Sequence, residues 1–183
     1  RIDSVWNDPD SPAQAETADP ESAATTDDFV PNNHEILHLE QGLLNDDDIE
    51  DAILVTRVLG EDRISRAARP VLVLFGLPGG GYELRARNDK LVLCASCGGV
   101  LGDPFQDVVI NDRFFSIEHF GGSRERWFRV TTFRFDEAAE EILLTSDNSE
   151  VVDSLSEDKT PALVRHVANR GSTFETYDIE LYG

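Results

Sequence analysis

From residue 52 onward, the order of apolar and polar residues is typical of β-strands. The stretches 52–59 and 71–75 are runs of aliphatic and β-branched residues, which predict buried strands. In the stretch 82–87 apolar residues alternate with charged ones, which also predicts a strand. Polar turns then separate further strand candidates and predict three hairpins. The predicted pairs are 82–87 with 90–94 across Asn88 and Asp89, 108–110 with 114–120 across Asn111 and Asp112, and 127–135 with 141–145.

Successive hairpins predict a mainly β fold. We expect an antiparallel meander that forms a small sandwich or a propeller-blade-like sheet, with few short helices. The best helix candidate is 158–169, and the last strand candidate is 176–182. We place one domain at residues 33–183 of the 183-residue chain, which is long enough to bury a core. The stretch 146–183 carries no signal of function.

Acidic residues are concentrated near the N-terminus. The chain has 36 Asp and Glu against 16 Lys and Arg, a formal net charge of −20. Residues 1–51 contribute fifteen acids and one base. Residues 1–32 combine acidic charge with Pro, Ala and Ser, so we interpret them as an arm or tether. The net charge disfavours nucleic acids and anionic membranes as partners and favours basic proteins and cations.

The start of the chain predicts export from the cytoplasm. It begins at Arg1 and contains no Met, so we expect that an N-terminal segment precedes it, such as a signal peptide or a lipid-anchored leader. We therefore predict a periplasmic or otherwise exported protein, with an outer-membrane lipoprotein as one form of it. No apolar run is long enough for a helix that crosses a bilayer.

The cysteine pair agrees with export. Cys94 and Cys97 form a CxxC that follows a predicted strand and precedes Gly98 and Gly99. We interpret the pair as a short disulfide that fixes a tight turn, and its persistence requires an oxidising compartment. A structural zinc site would need a second ligand pair, and a thioredoxin-type motif should open a helix.

The segment 34–38 reads HEILH and matches the HExxH pattern of zinc hydrolases. On a helix, His34 and His38 would share one face and bind zinc, and Glu35 would polarise a water molecule. Glu61 is a candidate third ligand. A proline before the segment and a glycine after it leave barely two helical turns, and the segment also fits a strand. A zinc metallohydrolase is therefore the less favoured alternative.

An acidic loop, residues 43–51, precedes the first long buried strand. It reads LLNDDDIED and resembles the DxNxDGxxD calcium loops of FG-GAP and integrin-like repeats. Calcium takes about six to eight oxygen ligands. The resemblance implies Asn45, Asp47 and Asp51 as side-chain ligands, with the Ile49 carbonyl between them. A leucine replaces the first Asp of the pattern and Asp48 replaces its Gly, so an acidic turn without an ion is the alternative.

A glycine-rich segment, residues 121–127, joins two strongly predicted strands and reads GGSRERW. Arginine and tryptophan in such a loop can anchor a partner's cleft. The alternative is a long hairpin turn with the tryptophan in the core. The residues of the predicted partner-binding loop are Ser123, Arg124, Glu125 and Arg126, with His119 supporting its base.

Four ordered segments resemble a family of poorly characterised exported bacterial proteins and lipoproteins. They read RPVLVLFG at 69–76, ARND at 86–89, CASCGGVLGDPF at 94–105 and FSIEHFGGSRER at 115–126. In this family a calcium-type loop precedes an LCxxCGGxxGDPF segment and a HYGGS-like segment. The similarity covers roughly residues 43–136. Phe120 stands where the family has a tyrosine.

The resemblance implies a non-enzymatic binding protein. Some relatives are similar to periplasmic immunity proteins that block lysozyme-like effectors of type IV secretion systems by placing a loop in the hydrolase cleft. The implied function is inhibition of a basic lysozyme-like peptidoglycan hydrolase, and opposite charges would accelerate the encounter. The alternatives are a calcium-binding FG-GAP-like adhesion or envelope module and, less favoured, the zinc hydrolase.

Overall fold

The computed structural model describes residues 21–166 and 172–180. The predicted mainly β, antiparallel fold is confirmed. The described strands are β1 (Ser22–Ala23), β2 (His34–Gly42), β3 (Asp51–Val58), β4 (Arg69–Gly76), β5 (Tyr82–Val92), β6 (Phe105–Asn111), β7 (Phe114–Gly122), β8 (Glu125–Asp136), β9 (Glu141–Asp153) and β10 (Ala162–Arg165). They form two five-stranded sheets, in the orders β1-β5-β4-β3-β2 and β10-β9-β8-β7-β6. Within the described ranges, no helix is long and apolar enough to span a membrane.

The two apolar runs form β3 and β4, which lie in the middle of the first sheet and are buried on both faces. Their residues alternate between the main core, which includes residues of both sheets, and a smaller cluster on the outer face. Phe29 completes this outer cluster and is fully buried. It belongs to a short 3-10 helix, Thr26–Phe29, within the predicted arm. That part of the arm therefore packs on the first sheet.

The second sheet contributes an aromatic cluster to the main core. Phe115 in β7 and Phe133 in β8 stack on its inner face with ring centroids 5.4 Å apart. Phe174 and Tyr177 then pack edge-on against Phe133, at 5.4 and 5.6 Å. Edge-to-face contacts are a preferred geometry for aromatic rings. The segment 172–180 thereby contributes to the main core.

Asn88 and Asp89 do not form the predicted turn. They lie inside β5, which continues from Tyr82 to Val92. The buried side-chain amide of Asn88 donates hydrogen bonds to the carbonyls of Phe174 and Tyr177, the latter at 2.8 Å. Long-range bonds therefore occupy this side chain, which local sequence alone assigns to a turn. The other two predicted hairpins are confirmed, as β6–β7 and β8–β9.

The predicted helix at 158–169 is wrong where the structure describes it. Residues 158–161 are irregular, and the next four residues form β10, whose backbone pairs with β9. The predicted strand at 176–182 is instead turn and irregular chain over residues 176–180, where the Tyr177 N–H donates to the Thr173 carbonyl at 3.1 Å. Residues 167–169 and 181–182 of these two predictions lie outside the described ranges.

The antiparallel topology gives the molecule two ends. The loops 59–68 and 93–104 and the β7–β8 turn share one end, which we call the loop end. The loops 43–50 and 77–81 and the turn 137–140 share the other, which we call the acidic end. At the acidic end, Asp46 links the two sheets, because its N–H donates to Glu137 at 2.8 Å and its carboxylate pairs with Arg113.

Candidate functional site

Backbone hydrogen bonds join the three segments of the loop end. The Ser96 N–H donates to the Ser65 carbonyl at 3.1 Å, and the Gly122 N–H donates to the Gly98 carbonyl at 2.9 Å. Gly99 forms a bridge with Gly122 and has a φ of 69°. A Cβ on Gly99 would lie 3.0 Å from the Gly122 carbonyl oxygen. Glycine therefore allows this positive φ and the close approach of the two loops.

A fully buried arginine lies beneath these loops. Arg69 donates from Nη1 and Nη2 to the two carboxylate oxygens of Asp103, at 2.7 and 2.6 Å. Its Nε and Nη2 donate to Glu61, at 3.0 and 2.6 Å, and Nη1 also donates to the Leu93 carbonyl. All five N–H donors of the guanidinium thus have acceptors. Burial opposes ionisation of Asp103, but the bonds from Arg69 hold its pKa below the usual value.

His119 also lies beneath the turn and is buried. Its Nε2 accepts a hydrogen bond from the Leu93 N–H at 3.2 Å, which ties β7 to the end of β5. Burial, with the neighbouring cations Arg129 and Arg69, lowers its pKa to about 3. The imidazole is therefore neutral at physiological pH. The side chain does not contact solvent, and its support of the turn stays a prediction.

The β7–β8 turn is short and braced. Ser123 and Arg124 connect the two strands, and Glu125 and Arg126 begin β8; all four are exposed, and we refer to them together as the turn. Arg124 donates to the Asp153 carboxylate at 2.8 Å, and its carbonyl accepts the Ser154 N–H at 2.8 Å. These bonds tie the turn to the end of β9. Over the described part of the chain, Arg126 has no carboxylate partner, so it is the free guanidinium of the turn.

Exposed apolar side chains lie on the same loops. Ile64 and Val100 are 80% and 79% exposed, and Leu101 is also exposed. Leu155, which directly follows the residue bonded to Arg124, is exposed as well. Apolar anchors combined with arginine are characteristic of protein-binding surfaces.

The predicted disulfide between Cys94 and Cys97 is confirmed, with Cα atoms 5.1 Å apart. The Cys97 N–H donates to the Cys94 carbonyl at 2.9 Å, which closes a tight turn. Ser96, between the two cysteines, makes the backbone bond to Ser65. The disulfide therefore restrains the residue that connects two loops of the loop end.

At the acidic end, backbone N–H groups bond three side chains of loop 43–51. Asp51 is fully buried, and its carboxylate accepts the N–H groups of Leu44 at 2.7 Å and Gly76 at 3.0 Å. Asn45 and Asp47 each accept a loop N–H at 2.9 Å. Burial raises the pKa of Asp51 despite its hydrogen bonds. Asp51 thus fixes the loop to the end of β4.

The predicted calcium ligands, Asn45, Asp47, Ile49 and Asp51, all lie in this one loop. In residues 21–166 and 172–180, no group of three or more His, Cys, Asp or Glu side chains is placed to hold a metal ion. Hydrogen bonds from backbone N–H groups to Asn45, Asp47 and Asp51 already stabilise the loop conformation. Calcium binding therefore stays a prediction.

The HExxH segment lies in β2, not in a helix. Glu35 forms an ion pair with an arginine of β3 at 2.8 Å. The proposed third ligand, Glu61, is bound to Arg69. The helical face that would bring His34 and His38 to one zinc ion is not formed.

Comparisons of the chain with protein-family models, with curated proteins and with solved structures found no match. The resemblance to exported bacterial proteins therefore stays a prediction. The contacts of the described residues carry the functional argument below.

Two buried ion-pair clusters have no counterpart among the sequence predictions. One is centred on Arg69. In the other, Arg129 donates to Asp147 at 2.8 and 2.7 Å, and the Tyr177 hydroxyl donates to the same carboxylate at 2.6 Å. Burial and the bond to Asp147 raise the pKa of Tyr177. The sequence signal for a buried Arg69 is its position directly before an apolar run. Its partner Asp103 lies 34 residues away, so local sequence does not show the pair.

Proposed function

We propose that the protein is a non-enzymatic, periplasmic binding protein whose loop end inhibits a lysozyme-like peptidoglycan hydrolase by entering its substrate cleft. The observation that carries this proposal is an exposed Arg126, without a carboxylate partner among the described residues, on a turn that backbone bonds hold from two sides, at Gly122 and at Ser154. A braced loop loses little conformational entropy on binding, which favours tight association.

The distribution of charge supports a hydrolase as the partner. The net charge of −20 attracts a basic enzyme at long range. Most glycoside hydrolases carry a pair of carboxylates at the scissile bond. Arginine pairs with a carboxylate through two parallel hydrogen bonds. We assign this contact to Arg126, and we assign to Arg124, which Asp153 holds, the positioning of the turn.

Apolar contacts support the same surface. Val100 and Leu101 lie in the loop whose residue Gly98 bonds the turn, and both are exposed. Burial of such side chains around a charged anchor excludes water and strengthens the central ion pair. We therefore place the partner over loop 93–104 and the β7–β8 turn together.

Titration of a panel of basic muramidases and lytic transglycosylases tests the proposal. We expect inhibition that is complete at one protein per enzyme, because an inhibitor acts stoichiometrically and an enzyme does not. A chitooligosaccharide that occupies the cleft should compete with the protein. If no member of the panel is inhibited, or if binding is unaffected by the oligosaccharide, cleft insertion is wrong.

A second candidate function is a calcium-binding envelope or adhesion module. Its support is a cavity of about 700 Å³ at the acidic end that carboxylates surround. These are Asp46, Asp47, Glu83, Glu137 and Glu140. Melting that depends on calcium, without any effect on a hydrolase, would favour this candidate over the inhibitor.

A further inference from the structure

Another cavity opens on the inner face of the second sheet, beside the polar residues that separate it from the aromatic core. Its volume is about 440 Å³, within the range of about 300–1,000 Å³ that small-molecule sites have. Val151 of β9 and Val164 of β10 lie on one wall, and Leu93 and Ile179 contribute from outside the sheet. These four aliphatic side chains give the cavity part of its apolar lining.

Trp127 supplies an aromatic wall that cannot easily shift. It lies opposite Gly121 in the β7–β8 ladder, and its indole covers the position that a glycine Cβ would take. A Cβ there would lie 2.5 Å from the ring. The indole thus lies against Gly121 of β7, is partly buried and lines the cavity.

Most polar groups of the cavity already have partners. The guanidinium of Arg129 is bonded to Asp147, so the two charges offset each other. Ser149 and His166 form a hydrogen bond of 2.6 Å between Oγ and Nε2. An apolar ligand body that covers these groups leaves none of them newly unpaired, which avoids a desolvation cost.

The unmatched charges of the cavity are both negative. Glu125 and Glu180 line it and are exposed, and neither forms an ion pair with another residue in the described ranges. Two carboxylates and a tryptophan that line one cavity form a site for a positive charge, because an indole face also attracts cations. An anionic ligand would meet repulsion from both carboxylates.

We infer that this cavity binds a small amphipathic cation: an amine or ammonium group on an aliphatic body. The aliphatic part lies along Val151 and Val164, and the cationic group lies between Trp127 and the carboxylates of Glu125 and Glu180. A free alkylamine and a lysine side chain of a protein partner share this chemistry. The site adjoins the surface assigned to the hydrolase, because Glu125 lies in the β7–β8 turn and Leu93 begins loop 93–104, but amine binding is measured on the protein alone and is therefore distinguishable from inhibition.

Binding of three probes of equal chain length tests the inference: hexylamine, hexanol and hexanoate. The full chain with Trp6→Phe is used, so that fluorescence reports Trp127 alone. We expect saturable binding of hexylamine, at least 10-fold weaker binding of hexanol, and no binding of hexanoate. An N-acetylated peptide with one lysine forms a further arm, and tighter binding than hexylamine would assign the site to a protein's lysine.

Variants make the test specific. Glu125→Gln with Glu180→Gln should weaken hexylamine binding at least 10-fold, while Glu150→Gln, on the other face of β9, should leave it unchanged. Val164→Trp should abolish binding by filling the cavity, and its position on a short edge strand makes this change tolerable to the fold. Equal binding of hexanoate and hexylamine, unchanged binding in the double variant, or no saturable binding by the parent would overturn the inference.

Discussion

Arg69 and Asp103 are joined by two parallel hydrogen bonds of 2.7 and 2.6 Å, although 34 residues separate them in the chain. Arg69 begins β4 in the first sheet, and Asp103 lies two residues before β6 begins the second sheet. The pair therefore links the two sheets beneath the loops that we assign to partner binding. Both residues fall in segments on which the family resemblance depends, and the contact gives these segments a shared structural role.

Replacing Arg69 by Met should destabilise the protein strongly. The change leaves Glu61, whose side chain is 2% exposed, as a buried carboxylate without its partner. Loss of one partner from a buried ion pair costs about 3–5 kcal/mol of unfolding free energy. Urea denaturation measures the effect. Arg66→Met, which replaces an exposed arginine of loop 59–68, should change the unfolding free energy by less than about 0.5 kcal/mol. Similar stabilities for the two variants would contradict the role of the cluster.

The stability of the protein should fall as the pH drops below about 6.5, and His119 should cause part of this loss. Burial lowers its pKa to about 3 in the folded state, whereas the unfolded chain binds a proton near pH 6.5. Protons therefore favour the unfolded state throughout this window, and stability is complete above it. The expected contribution is about 2 kcal/mol between pH 7 and pH 5.

His119→Gln preserves an acceptor for the Leu93 N–H and removes the titrating group. Denaturation curves at several pH values should show a shallower loss for this variant than for the parent. His34→Gln, at a partly exposed position, is the matched control. Parallel pH profiles for the parent and His119→Gln would show that the buried histidine does not titrate as proposed.

Removing the disulfide should lower stability by a modest amount. It closes a loop of only a few residues, for which the entropic effect on the unfolded chain is about 2 kcal/mol. The double variant Cys94→Ala with Cys97→Ala and the parent in a reducing agent should lose the same free energy. A loss in the variant without any effect of the reductant on the parent would point to packing of the cysteines as the cause.

The β6–β7 and β8–β9 hairpins follow from the sequence because local turn residues and alternating strands encode them. The turn predicted at Asn88 and Asp89 is wrong because a long-range contact overrides the local preference. The Asn88 side-chain amide donates to the carbonyl of the distant Tyr177, and β5 continues through both residues. Phe29 belongs to an acidic, low-complexity stretch, and only the finished first sheet offers it a place to be buried. The same holds near the C-terminus, where β10 forms by pairing with β9, and Phe174 and Tyr177 are buried in the main core.

The candidate site is predicted in part. The glycines of segment 121–127 mark the turn in the sequence, because Gly122 has a φ of 110°, and the two arginines mark it as a charged turn. The bracing is not readable from sequence, because Arg124 meets Asp153 only after β8 and β9 pair. The HExxH segment matches the sequence pattern of a helical zinc site, but its residues form β2, an edge strand of the first sheet. A short motif therefore does not by itself predict the secondary structure that its chemistry needs.

Calcium should raise the melting temperature if the acidic loop binds it as the resemblance implies. An ion that binds only the folded state at 100 times its Kd stabilises by about 2.7 kcal/mol. Asp47→Asn should remove the shift, and Asp48→Asn should retain it, because Asp48 is outside the implied ligand set. Identical melting curves with calcium and with a chelator would contradict calcium binding at this loop.

The affinity of three versions of the protein for an inhibited hydrolase, measured by isothermal titration calorimetry, tests the central claim most directly. The parent is compared with Arg124→Ala combined with Arg126→Ala and with Arg134→Ala, which replaces an exposed arginine two residues before the end of β8 at the acidic end. We predict that the loop-end variant binds at least 100-fold more weakly, which corresponds to about 2.8 kcal/mol, while Arg134→Ala binds as the parent does. Equal affinities of the parent and the loop-end variant would show that the hydrolase is bound elsewhere on the molecule.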